Sequence, residues 1–499
     1  MNGRRLMHDV RFWAVLTSLL LSGVAVMLGQ FPNDDGFIYL RTAEIFLEQG
    51  TLAAFQHYPW ATISILIGLL QHLPGIDLFA AAQLLNALWF ALVTAVFISL
   101  VRHFDDSPRV VMLAALTVLA YPHLNEFRFY IIRDIAFLGL SLWAALCFLR
   151  YYVDGTLRQA AGFCGLLVAA ALFRAEALLF LALVPLTLLV HPVLSGRLRL
   201  RRLLTIWGLA ALAPAMAVLI FTLAGVDLWQ QLQTAASVYL PFLQDTLAGI
   251  TGRQAALTDA LFSEHAANYA SEYTTLVLVT GLLAMLVAKL IESLGPGSAI
   301  LAYGLYKRQL SLDPLLLRPW WGWLGTALLI LVLFTLVARF MTTRYALLAA
   351  MLLMVLVPLI VDRLWTAARH SGRMRGFGWL FGLLLTYNAV DAHISYGEPK
   401  TWLPDALEWL DANWDARTPL LTNERYIAWR SGRIDAYDEV QRDMPAEALL
   451  TAPEGTILVV ERQPALYEAL QAASGQGQLE ELARFTDRRG PRIIIWRRR

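Results

Sequence analysis

The sequence is poor in cysteine and in charge. Of 499 residues, two are cysteines and 16% are charged, whereas soluble globular chains carry about 25% charged residues. Cys147 and Cys164 lie in apolar runs, so we expect free thiols that pack like small apolar side chains, and no disulfide framework. A formal net charge of +2 excludes a strongly basic nucleic-acid binder. The sequence also contains no Cys/His metal motif and no Gly-rich phosphate loop.

Long apolar runs accompany this shortage of charge. Hydrophobic residues make up 58% of the chain. A helix needs about 20 residues to cross a bilayer, and the runs of about that length predict a multi-pass membrane protein with about eleven spans. The predicted spans lie near 12–29, 78–101, 108–121, 134–150, 159–173, 177–191, 203–224, 273–294, 320–338, 345–361 and 376–391.

Basic residues are concentrated in alternate loops. Arg4, Arg5 and Arg11 precede the first span, and the segment 197–202 is the clearest basic cluster. Short loops that are rich in Lys and Arg stay in the cytoplasm. The alternation therefore predicts a cytoplasmic N-terminus and a C-terminal tail on the outer side of the membrane.

Two apolar segments depart from a simple span. As one helix, residues 159–190 would be about 48 Å long, too long for a single crossing. We therefore expect a hairpin with Arg174 and Glu176 as a structural pair at its outer tip. The run 61–74 would be only about 21 Å long, which is typical of an interfacial or re-entrant helix.

The tail has a different pattern. Short apolar runs of strand length occur at 418–422, 456–460 and 492–496, separated by helical stretches. Alternating helices and apolar strands predict a small α/β domain. The predicted fold class is thus an all-α polytopic membrane domain over 1–391, with outer-surface helices in 31–77, followed by an α/β periplasmic domain over 392–499.

Carboxylates occur at the start of two outer-loop helices. Asp34 and Asp35 follow the first span, and Asp134 opens a later one beside Arg133. Each acid also suits a purely structural role, because an Asp caps a helix or complements its dipole. The residues alone leave both interpretations open.

The motifs around these acids resemble one family of membrane enzymes. NDDGFIYLRTAEIFLEQG is similar to the "DDxYIxxRYAxNxxxG" first-loop pattern of the GT-C superfamily of glycosyltransferases. FQHYPWATISILIGLL and IIRDIAFLGLSLWAALCFL resemble the segments that follow in that family. MTTRYALLAAMLLMVLVPLIV resembles its late "RYLLPxxP" span, and LLTNERYIAWRSGR resembles the outer domain of bacterial members.

The pattern is most similar to protein O-mannosyltransferase-like and aminoarabinose-transferase-like enzymes of the family 39 type. Two features depart from it: the acidic pair is DD rather than DE, and the late motif lacks its first proline. The resemblance implies an enzyme of the bacterial inner membrane that takes sugar from a polyprenyl-phosphate donor. The acceptor would be a hydroxyl of a lipid, a glycan or a protein.

The resemblance also implies residue roles. Asp34 matches the first acid of the pair and would be the general base, which takes the proton of the acceptor hydroxyl. Asp35 would support it, and Asp134 would orient the acceptor or a metal. The anionic leaving group needs arginines or a divalent ion such as Mg²⁺ or Mn²⁺. Asp34 and Asp134 are the candidate ligands of that metal.

Further residues of the outer loops are candidates for substrate binding. Arg344 is the first choice for the donor phosphate, although an arginine at a span end also snorkels to the interface. His57 and Tyr58 would line the sugar pocket, although a lone histidine such as His57 is more often a plain interfacial residue. The remaining candidates are Arg41, Glu126, Arg128 and Arg339.

Two other classes of function are compatible with a polytopic chain. One is a transporter or flippase of lipid-linked or small solutes, with the segment 61–74 near its pathway. The other is a glycan polymerase or ligase that uses a pyrophosphate-linked donor. Transfer from a polyprenyl monophosphate donor separates the proposed enzyme from both alternatives.

Overall fold

A computed structural model provides the structure of the chain. It describes residues 9–28, 31–223, 254–262, 271–308, 313–394, 400–488 and 490–499, together with isolated residues between 224 and 270. The segment between the predicted spans 203–224 and 273–294 therefore lies largely outside the described residues.

Apolar helices dominate the first 394 residues. Five described helices are long and apolar enough to cross a membrane, or up to seven if each of two bent pairs counts as one span. The five are Val10–Met27, Leu78–Phe104, Asp134–Asp154, Thr274–Leu294 and Pro314–Ala338. The bent pairs are Pro108–Leu119 with Pro122–Phe129, and Thr343–Met354 with Leu356–His370.

The remaining predicted spans also fall on helices. They correspond to Leu157–Ala171, Ala177–Val190, Gly196–Leu223 and Met374–His393. The second of these begins as an α-helix, Ala177–Leu183, and continues as a 3₁₀ helix, Val184–Val190. The mostly helical architecture is thus confirmed, whereas the number of eleven crossings and their sidedness stay predictions.

The described helices Pro122–Asn125, Gln254–Leu261 and Gly297–Tyr306 were not predicted as spans, and the last of them packs closely against its neighbours. Gly297–Tyr306 has only 10 residues, too few for the length criterion that identified the spans. Its two glycines explain its close packing. A Cβ at Gly297 would lie 2.5 Å from Met354 Sδ, and one at Gly304 would lie 2.6 Å from Ile360. Only glycine allows this approach between helices.

The chain divides into two compact units. The first contains Met1–Ala25, Leu84–Arg128 and Arg133–Ile394. The second contains Val26–Gln83, Phe129–Ile132 and Ser395–Arg499. The first outer loop thus belongs to the same unit as the tail, which differs from the predicted boundary between residues 391 and 392.

The second unit contains a four-stranded sheet in the order β1-β2-β4-β3. The strands are β1 (Leu420–Thr422), β2 (Ile457–Glu461), β3 (Leu479–Asp487) and β4 (Gly490–Arg498). β1 and β2 are parallel, whereas β4 is antiparallel to both β2 and β3. The tail helices are Trp402–Asn413, Arg425–Ser431, Ala446–Leu450 and Pro464–Gly475.

Both faces of this sheet are covered. Ile457, Val459 and Ile495 belong to one apolar cluster, whereas Leu458 and Val460 belong to another. Alternate residues of a strand point to opposite faces, so a strand that is covered on both sides is apolar throughout. The predicted strand runs have this property.

Three helices of the first outer loop complete the second unit. They are Asp34–Gln49, which we name the first-loop helix, Thr51–His57 and Thr62–Gln71. Phe37 of the first-loop helix packs with Ala428, Tyr437 and Val440 of the tail. This apolar contact accounts for the grouping of loop and tail in one unit.

Candidate functional site

A buried ion-pair cluster in the first unit centres on Asp134. This residue begins the helix Asp134–Asp154 and is 4% exposed. Arg174 Nη1 donates to Asp134 Oδ1 at 2.5 Å, and Arg344 Nε donates to Asp134 Oδ2 at 2.9 Å. Both carboxylate oxygens therefore accept a charge-assisted hydrogen bond.

Arg174 links two acids. Besides Asp134, its Nη2 donates to Glu176 Oε1 at 2.6 Å. Its guanidinium carbon lies 5.0 Å from the ring centroid of Tyr345 and 5.5 Å from that of Phe137. Two arginines and two carboxylates thus balance in formal charge. The predicted Arg174–Glu176 pair is present, and Arg174 is also part of the Asp134 cluster.

Two cavities adjoin this cluster. The smaller, of about 40 Å³, is lined by Asp134 and Arg344 among others. The larger, of about 590 Å³, is lined by Arg133, Arg174 and Glu176 and by an apolar wall. We name it the apolar groove. Its wall consists of Leu179, Ile330, Leu333, Phe334, Val337 and Phe340.

The elements around the groove follow from the sequence. The break between Ala171 and Ala177 is where the hairpin tip was predicted, and it places Arg174 outside regular helix. Arg344 lies in the first turn of Thr343–Met354. Arg339 caps the C-terminus of Pro314–Ala338 with a left-handed φ of 57°. The structure therefore brings together Asp134 and Arg344, two of the residues that the sequence analysis selected as candidates.

The acidic pair lies in the second unit, at the start of the first-loop helix. Asn33 occupies the N-cap position, but its side chain forms no capping hydrogen bond. Instead, Asn33 Oδ1 accepts from the Ile131 N–H at 2.8 Å. Asp34 is exposed, Asp35 is half-buried, and Arg425 Nη1 donates to the main-chain oxygen of Asp34 at 3.4 Å.

Glu424 is a further carboxylate of this unit, and the sequence analysis did not identify it. It follows β1, just as Glu461 ends the parallel strand β2. Asn423 joins the two strand ends, since its Oδ1 accepts from Glu461 N at 2.7 Å. Burial, followed by the charge of Glu461, raises the pKa of Glu424 to about 7. Its position at the carboxyl end of a parallel strand was the available signal.

The other candidates of the first outer loop make local contacts. Arg41 Nη1 donates to Glu44 Oε2 at 3.0 Å. His57 contacts Thr42 and Asp438. The ring of Tyr58 lies edge-on to that of Tyr39, with centroids 5.7 Å apart. Their predicted roles in substrate binding stay predictions.

Arg128 and Glu126 differ in burial. Arg128 is 2% exposed and donates to Asn125 Oδ1, the main-chain oxygen of Ser18 and Ser22 Oγ. These contacts favour a structural role that joins the first helix to the segment 122–129. Glu126 is exposed, and its carboxylate lies 3.8 Å from His123 Nδ1.

The donor set does not support the predicted metal at Asp134. Both of its oxygens face guanidinium groups, whereas a hard divalent cation needs several oxygen ligands. Among the described residues, no group of three or more His, Cys, Asp or Glu side chains could hold a metal. The role of Asp34 as a metal ligand stays a prediction.

Comparison with known proteins shows that solved structures resemble this chain, whereas known sequences do not. No family model matches the chain, and no curated protein sequence matches it. The crystal structure of ArnT from Cupriavidus metallidurans bound to undecaprenyl phosphate aligns with 97% of this chain and 97% of its own, at 13% identity and a TM-score of 0.54. The likeness shows that this chain and that of ArnT share a fold.

A second protein has a weaker likeness. The archaeal oligosaccharyltransferase AglB from Archaeoglobus fulgidus, in complex with an inhibitory peptide and a dolichol-phosphate, aligns with 90% of this chain and 69% of its own. The identity is 14% and the TM-score is 0.48.

Proposed function

We propose that the protein is an inverting glycosyltransferase that moves a sugar from a polyprenyl-phosphate donor to a hydroxyl acceptor on the periplasmic face. The observation that carries the proposal is the apolar groove with arginines in its lining, in a chain whose fold is that of a protein bound to undecaprenyl phosphate. A lipid phosphate has the same two parts, an apolar chain and an anionic head.

The guanidinium donors that line the two cavities suit a phosphate. Guanidinium groups bind phosphate oxygens through paired N–H donors. Arg174, Arg133 and Arg344 line the two cavities, and the Arg344 side chain is 24% exposed. Asp134 holds two of these guanidiniums in place before the ligand arrives, which reduces the ordering cost of binding.

The groove suits a prenyl chain. Its volume of about 590 Å³ lies within the usual range of ligand sites, roughly 300–1,000 Å³. Its wall is branched aliphatic and aromatic, so each isoprene unit that enters removes apolar surface from contact with water. We expect the part of the prenyl chain nearest the phosphate to lie here.

The chemistry needs one base and one stabilised leaving group. The acceptor oxygen attacks the anomeric carbon while its proton passes to the Asp34 carboxylate. The bond between the anomeric carbon and the phosphate oxygen breaks, and the phosphate leaves with the electron pair. A single displacement inverts the anomeric centre, and no nucleophilic carboxylate is required. Asp34 suits the role of base because it is exposed at a helix start.

A binding experiment tests the donor site. Purified protein in lipid nanodiscs is titrated with undecaprenyl phosphate, and Arg344→Ala is compared with Arg369→Ala, an exposed arginine outside the cluster. We expect the first variant to weaken binding at least about 10-fold, since a hydrogen bond to a charged group contributes about 1.5–3 kcal/mol. Equal affinities in both variants would contradict the assignment.

A donor assay with the same purified protein distinguishes the alternative functions. A sugar-loaded polyprenyl monophosphate should yield a glycosylated acceptor and free polyprenyl phosphate. Movement of the intact lipid between leaflets with no covalent product would favour a flippase. Turnover of only the pyrophosphate-linked donor would favour a polymerase or ligase.

A further inference from the structure

Asn33 joins the start of the first-loop helix to the segment 129–132. Its Oδ1 accepts a hydrogen bond from the Ile131 N–H at 2.8 Å, and its Nδ2 donates to the Ile131 main-chain oxygen at 3.3 Å. Both residues belong to the second compact unit. One side-chain amide thus binds both polar main-chain groups of a residue that lies 98 positions away in the sequence.

The segment around Ile131 depends on side chains for its hydrogen bonds. Residues 130–132 lie in neither a helix nor a strand, and Ile131 is 1% exposed. Buried main-chain N–H and C=O groups require a partner. Asn33 supplies a partner for each of these groups in Ile131, and Gln83 Nε2 donates to the main-chain oxygen of Phe129 at 2.9 Å. Removal of the Asn33 amide would therefore take the partner from two buried groups.

The chemistry of this contact requires an amide. The Ile131 N–H can only donate and its carbonyl oxygen can only accept, so the partner has to present an acceptor and a donor side by side. A carboxylate has no donor, and a serine side chain has one polar atom in place of two. The same two contacts also determine which atom of the Asn33 amide is the oxygen.

Asn33 also occupies the N-cap position of the first-loop helix, but its side chain forms no capping hydrogen bond there. Serine caps a helix about as well as asparagine. A capping role alone would therefore accept either residue, whereas the contact with Ile131 accepts only the amide. The two roles predict different outcomes for the substitution Asn33→Ser.

Gly36 allows the helix to approach this contact closely. It lies in the first turn of the helix, and a Cβ at this position would lie 3.3 Å from Asn33 Oδ1 and 3.4 Å from Ile131 Cβ. Both separations are shorter than an optimal van der Waals contact, about 3.5–4.0 Å between carbon atoms. A larger side chain would therefore press on both partners of the hydrogen-bonded pair.

We propose that Asn33 is a positioning residue, whose side-chain amide fixes the start of the first-loop helix to the main chain of Ile131. We name this two-point contact the amide clamp. Asp34 is the next residue along the chain, so the amide clamp sets the position of the proposed general base. This consequence rests on the proposed function, whereas the contact between Asn33 and Ile131 does not.

Hydrogen exchange at the Ile131 amide measures the amide clamp directly. In protein labelled with nitrogen-15 isoleucine, the Ile131 signal is the one that is absent in Ile131→Val. We expect this amide to exchange at least about 5-fold faster in Asn33→Ser, the effect of one lost hydrogen bond. Asn413→Ser, at an exposed position of the tail, is the control and should leave the signal unchanged. An unchanged exchange rate in Asn33→Ser would overturn the amide clamp.

Gly36→Ala tests the same contact without a change of any hydrogen-bonding group, and it also serves if Asn33→Ser does not fold. Alanine favours a helix more than glycine does, so helix propensity alone predicts unchanged or slower exchange. The amide clamp predicts faster exchange at Ile131, because the added methyl group separates the partners. Gly475→Ala, where a Cβ would meet no atom within 4 Å, should have no effect on Ile131. Unchanged or slower exchange in Gly36→Ala would contradict the clamp.

A kinetic comparison connects the amide clamp with Asp34. In an active preparation, Asn33→Ser should lower kcat by up to about 10²-fold, the effect of a misplacement of about 1 Å, while the affinity for undecaprenyl phosphate stays unchanged. In an Asp34→Asn background the same change should lower the residual rate much less, because residues that act through one another are not additive. Equal fold-losses in both backgrounds would overturn the positioning role.

The two kinds of measurement separate the amide clamp from the proposed function. Hydrogen exchange at Ile131 requires no enzymatic activity. Faster exchange in Asn33→Ser, in a protein whose wild type transfers no sugar, would support the clamp and reject the glycosyltransferase. Sugar transfer by the wild type with unchanged exchange in Asn33→Ser would support the enzyme and reject the clamp.

Discussion

Arg174 and Asp134 form a buried ion pair, with Nη1 2.5 Å from Oδ1, although 40 residues separate them in sequence. The pair joins the tip of a helical hairpin to the start of the helix Asp134–Asp154. Because Arg344 binds the other carboxylate oxygen, Asp134 orders two guanidiniums at one place. This arrangement favours a phosphate-binding role of the cluster over a catalytic base at Asp134.

Truncation of Arg174 should destabilise the protein strongly. Arg174→Ala leaves Asp134 and Glu176 without their shared cation, and loss of one partner from a buried ion pair costs about 3–5 kcal/mol. Arg344→Ala should cost less, since its side chain is more exposed, at 24% against 12%. Chemical denaturation in detergent measures both. A cost below about 1 kcal/mol for Arg174→Ala is typical of an exposed pair and would contradict the buried cluster.

Glu424→Gln should stabilise the protein at alkaline pH. The folded-state pKa of Glu424 is about 7, raised from 4.5 by burial. As pH rises, the unfolded chain therefore releases this proton at a lower pH than the folded chain does. The free energy of unfolding of the wild type consequently falls between pH 4.5 and pH 7. A pKa unit corresponds to about 1.4 kcal/mol, so the full shift sets an upper limit of about 3.5 kcal/mol. Solvent screening reduces this value.

Thermal unfolding at several pH values measures this effect. Glutamine cannot ionise, so the advantage of Glu424→Gln should vanish below about pH 4.5 and reach its maximum above pH 7. Glu468→Gln, at an exposed position of the tail, is the control and should show no such dependence. An advantage that is the same at pH 4 and pH 8 would refute the raised pKa.

Cysteine labelling should place the basic segment 197–202 and the C-terminal tail on opposite sides of the membrane. The native Cys147 and Cys164 are buried, so the background should be low. Gly196→Cys lies directly before the basic cluster 197–202 and should react only after the membrane is permeabilised. Ala472→Cys, exposed in the tail, should react in intact cells. Reaction of both from the outside would disprove the predicted orientation.

The sequence predicted elements that strong patterns define. Long apolar runs predicted the helices of the membrane part, and the motifs around Asp34 and Asp134 predicted the fold. The short helix Gly297–Tyr306 was missed because its packing depends on two glycines rather than on length. β3 was missed because LEELARFTD is a polar strand, with only Leu479 buried among its nine residues.

The site was predictable only in part. Arg344 was chosen from a local motif, and the structure places it on Asp134. Arg174 was assigned to Glu176 because that pair is two residues apart, whereas the contact with Asp134 depends on tertiary packing. The role of His57 in a sugar pocket stays a prediction, and its contact with Asp438 joins the first outer loop to a distant segment of the tail. No pattern within one segment contains such information.

The most direct test is sugar transfer by Asp34→Asn. Asparagine caps a helix about as well as aspartate, so the folding stability should not change. As the general base, Asp34 should contribute about 10²–10⁴-fold to the rate, whereas Asp35→Asn should retain most of the activity. The measurement is the initial rate of transfer from a polyprenyl-phosphate sugar, with the anomeric configuration of the product. We expect an inverted product and a loss of at least about 10²-fold in Asp34→Asn, and a wild-type rate in that variant would rule out Asp34 as the base.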